Sequence, residues 1–147
     1  MKADQLYRLV WMSRPLMQAA EACVEKGLAG TDLTVRMRAV LEILRAAGDL
    51  PVPDIAARLE INRQYVQLMV NDTLAAGLTA QRPNPRHKRS PLLTLTEAGR
   101  ALIDEVVARE MAVMRTIAAD LPAEEVETAL KVILAVTAKL KAERGEA

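Results

Sequence analysis

The chain has no phenylalanine, one tryptophan (Trp11) and two tyrosines (Tyr7 and Tyr65) in 147 residues. Strands draw on aromatic and β-branched side chains, so this scarcity, with abundant Ala, Leu, Val and Met, argues against a sheet-dominated fold and for helices. One cysteine, Cys23, excludes an intrachain disulfide and fits a reducing, cytoplasmic setting. There is one histidine, His87, and there are two serines, Ser13 and Ser90. They form no nucleophile–base–acid set, and one His with one distant Cys makes no metal site, so no catalysis, metal or cofactor is expected. No apolar run is long enough to span a membrane, and the start Met1-Lys2-Ala3-Asp4 has no signal-peptide pattern, so no membrane partner is expected. Nor is there an excess of one charge, since 20 Lys and Arg stand against 19 Asp and Glu. A net charge of +1 neither implies nor excludes nucleic acid, so the distribution of charge has to decide.

What is present is helical periodicity with clear punctuation. Leu6, Leu9, Val10, Trp11, Leu16, Met17, Ala20 and Val24 recur at helical spacing and predict one helix over residues 4–28, ended by Gly27 and Gly30 and interrupted by Pro15. At 1.5 Å per residue it spans about 37 Å, longer than a small core requires. A second helix is predicted over residues 33–46, with Val40, Leu41 and Leu44 on its apolar face and a close at Ala46-Ala47-Gly48. Pro51-Val52-Pro53-Asp54 starts a short third helix carrying Ile55, Ala56 and Leu59. After the turn Glu60-Ile61-Asn62, Asn62 is a suitable N-cap for a fourth helix over residues 63–76. Its buried face is Val66, Met69, Val70, Thr73 and Leu74, and Gly77 stops it.

Beyond Gly77 the period shifts. Residues 78–82 and 92–96 read as two strands of a hairpin around a turn-rich loop. Thr96 can cap a long helix over residues 97–119, and Pro122 opens a last helix to Lys141, after which the tail is expected to fray.

Two short helices joined by a tight turn and followed by a hairpin with a basic loop make a winged helix-turn-helix. The fourth helix is then of a size to enter a major groove about 12 Å wide. Arg63, Gln64, Gln67, Leu68 and Asn71 face outward, and Tyr65 stands on the shoulder within reach of a phosphate. Arg suits guanine and Gln suits adenine as bidentate partners. The loop explains how a near-neutral chain could bind DNA. Arg82, Arg86, His87, Lys88 and Arg89 lie within residues 82–89 without one acid, whereas residues 97–147 hold 10 acids and 7 bases, a net of −3. Positive charge is thus concentrated at the hairpin tip, beside the reading helix.

Leu33-Thr34, Val40-Leu41, Ile55-Ala56, Val66, Val70, Ala76-Gly77-Leu78, Asn84-Pro85, Arg89 and Leu95-Thr96-Glu97-Ala98-Gly99 resemble, in order and spacing, the signature of the MarR family of transcriptional regulators. The resemblance is close over residues 33–100 and looser in the flanking helices. It implies a mainly α fold, with residues 33–96 as a winged lobe and residues 1–32 and 97–147 as a helical dimerisation module. It also implies a cytoplasmic homodimer that places two recognition helices in successive major grooves of a pseudo-palindrome, most often as a repressor. Carried over, Asn62, Arg63, Gln64, Tyr65 and Gln67 read bases or phosphates, and Arg82, Arg86, His87, Lys88 and Arg89 supply the wing, with Arg86 at its tip. Two positions depart from the pattern. His87-Lys88-Arg89 stands where many members have Asp-x-Arg, so the acid that steadies the arginine is missing, and Leu68 stands where many have Arg.

The resemblance also suggests a small apolar or aromatic effector near Trp11, Met12, Met17 and Met37, although a Met stripe is more often plain core. Cys23 reads as a small packing residue rather than a redox switch, because Glu21 and Glu25 disfavour a thiolate. The competing reading is a winged-helix module for protein contacts, or a non-specific architectural DNA binder without ligand control.

Overall fold

A computed structural model describes residues 1–145. The order is α1 (Lys2–Gly27), α2 (Val35–Ala47), β1 (Leu50–Pro51), α3 (Val52–Leu59), α4 (Arg63–Ala75), β2 (Thr79–Arg82), β3 (Leu92–Leu95), α5 (Glu97–Ala118) and α6 (Ala123–Glu143). The fold is mainly helical with a small antiparallel sheet, as the periodicity predicts. Two compact units are formed, Met1–Glu110 and Met111–Ala147.

In the first unit α2 is the central helix. Met37, Val40, Leu41 and Leu44 repeat at i, i+3, i+4 and i+7, and all four are buried. Val40 and Leu44 pack with Ile55, Ala56, Val66, Met69, Val70 and Leu93. Met37 and Leu41 pack on the other side with Leu28, Leu33, Ile103 and Val106. One helix therefore holds the α3–α4 pair and the first half of α5 together. Each fully buried Leu, Ile or Val contributes about 1.5–3 kcal/mol. Arg38 adds a forked ion pair from α2 to α5, donating from Nε and Nη2 to Glu110.

Local chemistry sets the boundaries. Thr34 Oγ1 accepts from the Met37 amide at 3.2 Å and Asn62 Oδ1 from the Tyr65 amide at 2.8 Å, so both helices start on side-chain caps. The turn between α3 and α4 places Glu60 at φ 55°, a left-handed conformation that ends α3. α1 passes through Pro15 without ending, although that proline has no amide to donate to the Trp11 carbonyl.

The sheet differs from the expected hairpin by a third strand. Its order is β1-β3-β2, with Leu50 opposite Leu93 and Arg82 opposite Leu92. β1 has two residues and one is proline, which suits an edge strand and leaves no alternation to detect. Two contacts tie this sheet to its helices. Thr73 Oγ1 lies 2.9 Å from Thr79 Oγ1 in the interior, joining the last turns of α4 to the start of β2. Gly99 meets Leu78 so closely that a Cβ there would sit 1.9 Å from the Leu78 carbonyl oxygen. The Leu-Thr-x-x-Gly sequence follows from this contact. Thr96 Oγ1 donates to the Gly77 carbonyl at 2.7 Å, and the Gly99 amide donates to it at 3.0 Å.

In the second unit, α6 starts after Pro122, with Glu124 and Glu125 in its first turn and Lys141 in its last. None of its side chains is buried, and the same is true of α1. α6 extends two residues past the predicted end at Lys141, and residues 146–147 of the expected tail lie outside the described residues. Among the described residues, no helix is long and apolar enough to cross a membrane.

Candidate nucleic-acid interface

The helical period of α4 buries Val66, Met69, Val70 and Thr73 and leaves Arg63, Gln64, Gln67, Leu68 and Asn71 exposed. Leu74, expected in the core, is only half-buried near the helix end. Gln67 donates from Nε2 to Asn71 Oδ1 at 2.9 Å, one turn on, so the two amides act as a pair. Asn62 has its oxygen committed to the cap. Tyr65 is half-buried against the core, and the Arg36 guanidinium lies 5.2 Å from its ring centre. Arg36 is a cation the sequence did not flag. It sits in the first turn of α2, and only tertiary packing brings it to α4.

The wing loop is organised by Asn84. Its Nδ2 donates to the Ser90 carbonyl at 2.9 Å, and its Oδ1 accepts from the Arg86 amide at 3.1 Å. The His87 amide returns to the Asn84 carbonyl at 3.2 Å. Asn-Pro at residues 84–85 suits such a turn. The loop holds Arg86, His87, Lys88 and Arg89 exposed, and none of these side chains has an intramolecular partner among the described residues.

Two open cavities run between the helix and the wing. One, of about 400 Å³, is bordered by Arg63, Gln64, Gln67, Gln81 and Arg89. The other, of about 660 Å³, is bordered by Arg63, Asn84, Arg86 and His87. Arg63 borders both. Of the anticipated residues, Arg63, Gln64, Gln67, Arg86, His87 and Arg89 are thus gathered on one face, while Asn62, Tyr65 and Lys88 border neither cavity.

A sequence model of the MarR family matches residues 31–90. The HTH-type transcriptional repressor MdtR of Bacillus subtilis is 30% identical over 94% of this chain and 87% of its own length. An uncharacterized protein of Mycobacterium tuberculosis is 37% identical over 65% of this chain, and the chain spans 66% of that relative, just under two thirds. A solved MarR family transcription regulator superposes with a TM-score of 0.88 at 35% identity, covering 99% of this chain and 97% of that one. The chain belongs to the MarR family.

Within this MarR-family chain, Arg82 behaves unlike the other wing cations. Its Nε donates to Asp49 Oδ2 at 2.6 Å, so its charge is engaged inside the protein. Partial burial pushes the Asp49 carboxyl up, but Arg82, the Thr94 hydroxyl and the charge of Arg100 outweigh it and hold the group below its ordinary value. With Arg82 51% and Asp49 30% exposed, the pair adds at most about 1 kcal/mol. The anticipated effector residues are not brought together either. Trp11 and Met12 are exposed on α1, where Trp11 stacks edge-on with Tyr7 at 6.1 Å and under Arg14 at 5.4 Å. Met17 is exposed as well. Met37 is buried and borders a cavity of about 480 Å³ with Leu33, Leu78, Leu102 and Arg109, which includes neither Trp11 nor Met12. Cys23 is half-buried.

Proposed function

We propose that the chain is a sequence-specific double-stranded DNA-binding repressor that acts as a homodimer on a pseudo-palindromic operator. The observation that carries this reading is the face on which Arg63, Gln64 and Gln67 of α4 share a cavity border with Arg89 of the wing. Amide and guanidinium groups on an exposed helix suit adenine and guanine edges, and free cations beside them suit phosphates. The kinship with MdtR, a named repressor, supports the same reading.

In this reading residues 33–96 read DNA, and residues 1–32 and 97–147 pair two copies. Apolar side chains left exposed on α1, such as Leu16 and Met17, and on α6, such as Leu130 and Leu134, are suited to a second chain. Two recognition helices then meet half-sites about 34 Å apart or a multiple of it. A small apolar or aromatic effector would act by favouring one separation over another. The cavity bordered by Met37, at about 480 Å³, is within the range of small-molecule sites.

The test is selection from random duplex DNA, with the mass of the protein measured in solution. A dimer that enriches an inverted repeat is the expected result. On that repeat, Arg63→Ala weakens binding by about 1–3 kcal/mol and relaxes preference at one base position, while Arg86→Ala weakens all duplexes evenly. A monomer that enriches nothing rejects the proposal and points to a protein partner. Binding that competitor DNA abolishes points to a non-specific module.

A further inference from the structure

We propose that Asp49 is a positioning residue for the wing, holding Arg82 as a strap across all three strands so that Arg82 orients the basic loop instead of neutralising a phosphate. For DNA, this rests on the reading above.

Asp49 immediately precedes Leu50, which pairs with Leu93, so Thr94 is its neighbour on β3. On the other side of β3, Ala80 pairs with Thr94 and Arg82 with Leu92. Opposed residues share a face and successive residues alternate, so Asp49, Thr94, Leu92 and Arg82 project from one face of the sheet. The opposite face carries the buried Leu93 and Thr79. The Arg82 side chain therefore crosses β3 to reach Asp49, linking β2 to the segment that enters β1. The contact is short, at 2.6 Å.

Its position along the strand gives the strap its effect. Arg82 is the last residue of β2, and Pro83 follows it. Proline restricts Arg82 to extended backbone, and the strap fixes its side chain. Together they set the direction in which the loop with Arg86, Lys88 and Arg89 departs. Residues 82–89 contain no acid that could serve instead. Asp49 also borders the cavity shared with Arg63 and Arg86.

Simple electrostatics makes the opposite prediction. An acid beside a phosphate-binding surface repels DNA, so its removal alone strengthens binding to every duplex. The two accounts thus differ in sign.

The experiment compares the full chain with Asp49→Asn, Arg82→Gln and the exchanged pair Asp49→Arg/Arg82→Asp. Limited trypsin cleavage after Arg86, Lys88 and Arg89 reads the wing without any DNA. Asp49→Asn is expected to raise the cleavage rate about two- to fivefold, the ratio set by a partly exposed ion pair, with the thermal midpoint lowered by no more than about 4 °C. The exchanged pair returns the rate to that of the parent. An unchanged rate in Asp49→Asn, or a fall in midpoint that accounts for faster cleavage, overturns the strap. On the selected duplex, Asp49→Asn is expected to bind about two- to fivefold more weakly despite losing a negative charge, and Arg82→Gln is expected to keep the parental salt slope. Tighter binding of all duplexes by Asp49→Asn, or a salt slope lower by about 0.9 in Arg82→Gln, identifies Arg82 as a phosphate ligand and overturns the proposal.

Discussion

In the winged unit, Leu41, Ile55, Val66, Val70 and Ile103 are shielded from solvent to within 0% of their surface, whereas on α6 Leu130, Ile133 and Leu134 remain 56%, 45% and 61% exposed. The residue types and the helical spacing are alike. What differs is whether another element of the same chain covers them. α2 has α4 on one side and α5 on the other, so its stripe at 37, 40, 41 and 44 is enclosed. α1 and α6 carry comparable stripes with no buried residue. Apolar periodicity therefore marks a face suited to being covered, not the element that covers it. The α1 and α6 faces fit the proposed second copy, whereas the stripe of α2 is covered within its own unit.

Gly99 is where one substitution should damage the winged unit most. Gly99→Ala drives a Cβ into the Leu78 carbonyl, which belongs to backbone and cannot swing aside. The expected loss is about 3 kcal/mol, measured as the unfolding free energy in urea. Next in size is Leu130→Glu with Leu134→Glu on α6. The proposed dimer is expected to dissociate at least about tenfold more readily, since charges would then be buried at the proposed interface. Sedimentation reads that change, and circular dichroism should show the helices of the winged unit retained. A smaller effect comes from Asn62→Ala, which removes the cap of α4 and costs about 1 kcal/mol. Denaturant midpoints of the two proteins check it.

The smallest effect is the acid limb. The folded-state pKa of Asp49 lies below its ordinary 3.8, so its contribution is present above that value and is lost as pH falls through the folded pKa. The stabilities of the parent and Asp49→Asn should therefore converge by less than about 1 kcal/mol as the medium is acidified below pH 4. Arg82 and Arg100 face the carboxylate and stay charged throughout.

Most of the architecture was legible because its signals are local. Asn62 and Thr96 cap helices where their sequence positions predict, and Gly77 takes φ +74° at the end of α4. Arg63, Gln64 and Gln67 could be placed outward from the period of Val66, Met69 and Val70 alone. The parts that escaped are those made by residues far apart in the chain. Arg82 looked like one more wing cation because Asp49, 33 positions earlier, gives no hint of its partner. Arg36 beside Tyr65 and the two-residue β1 are similar cases, and Trp11 and Met37 share an apolar character without sharing a site.

Two hydroxyls facing each other in an apolar interior act as a weld. Thr73 uses its one proton on the Val70 carbonyl at 2.7 Å, so the bond to Thr79 has to be donated from the strand. A valine at position 73 would keep the shape and take away the acceptor of the Thr79 hydroxyl, whereas a valine at position 79 would leave Thr73 its bond to Val70. Through this joint a swing of α4 carries the root of β2 with it. The surface that bears Arg63 and Arg89 then turns as one tool head, steered from its mounting and not from its tip.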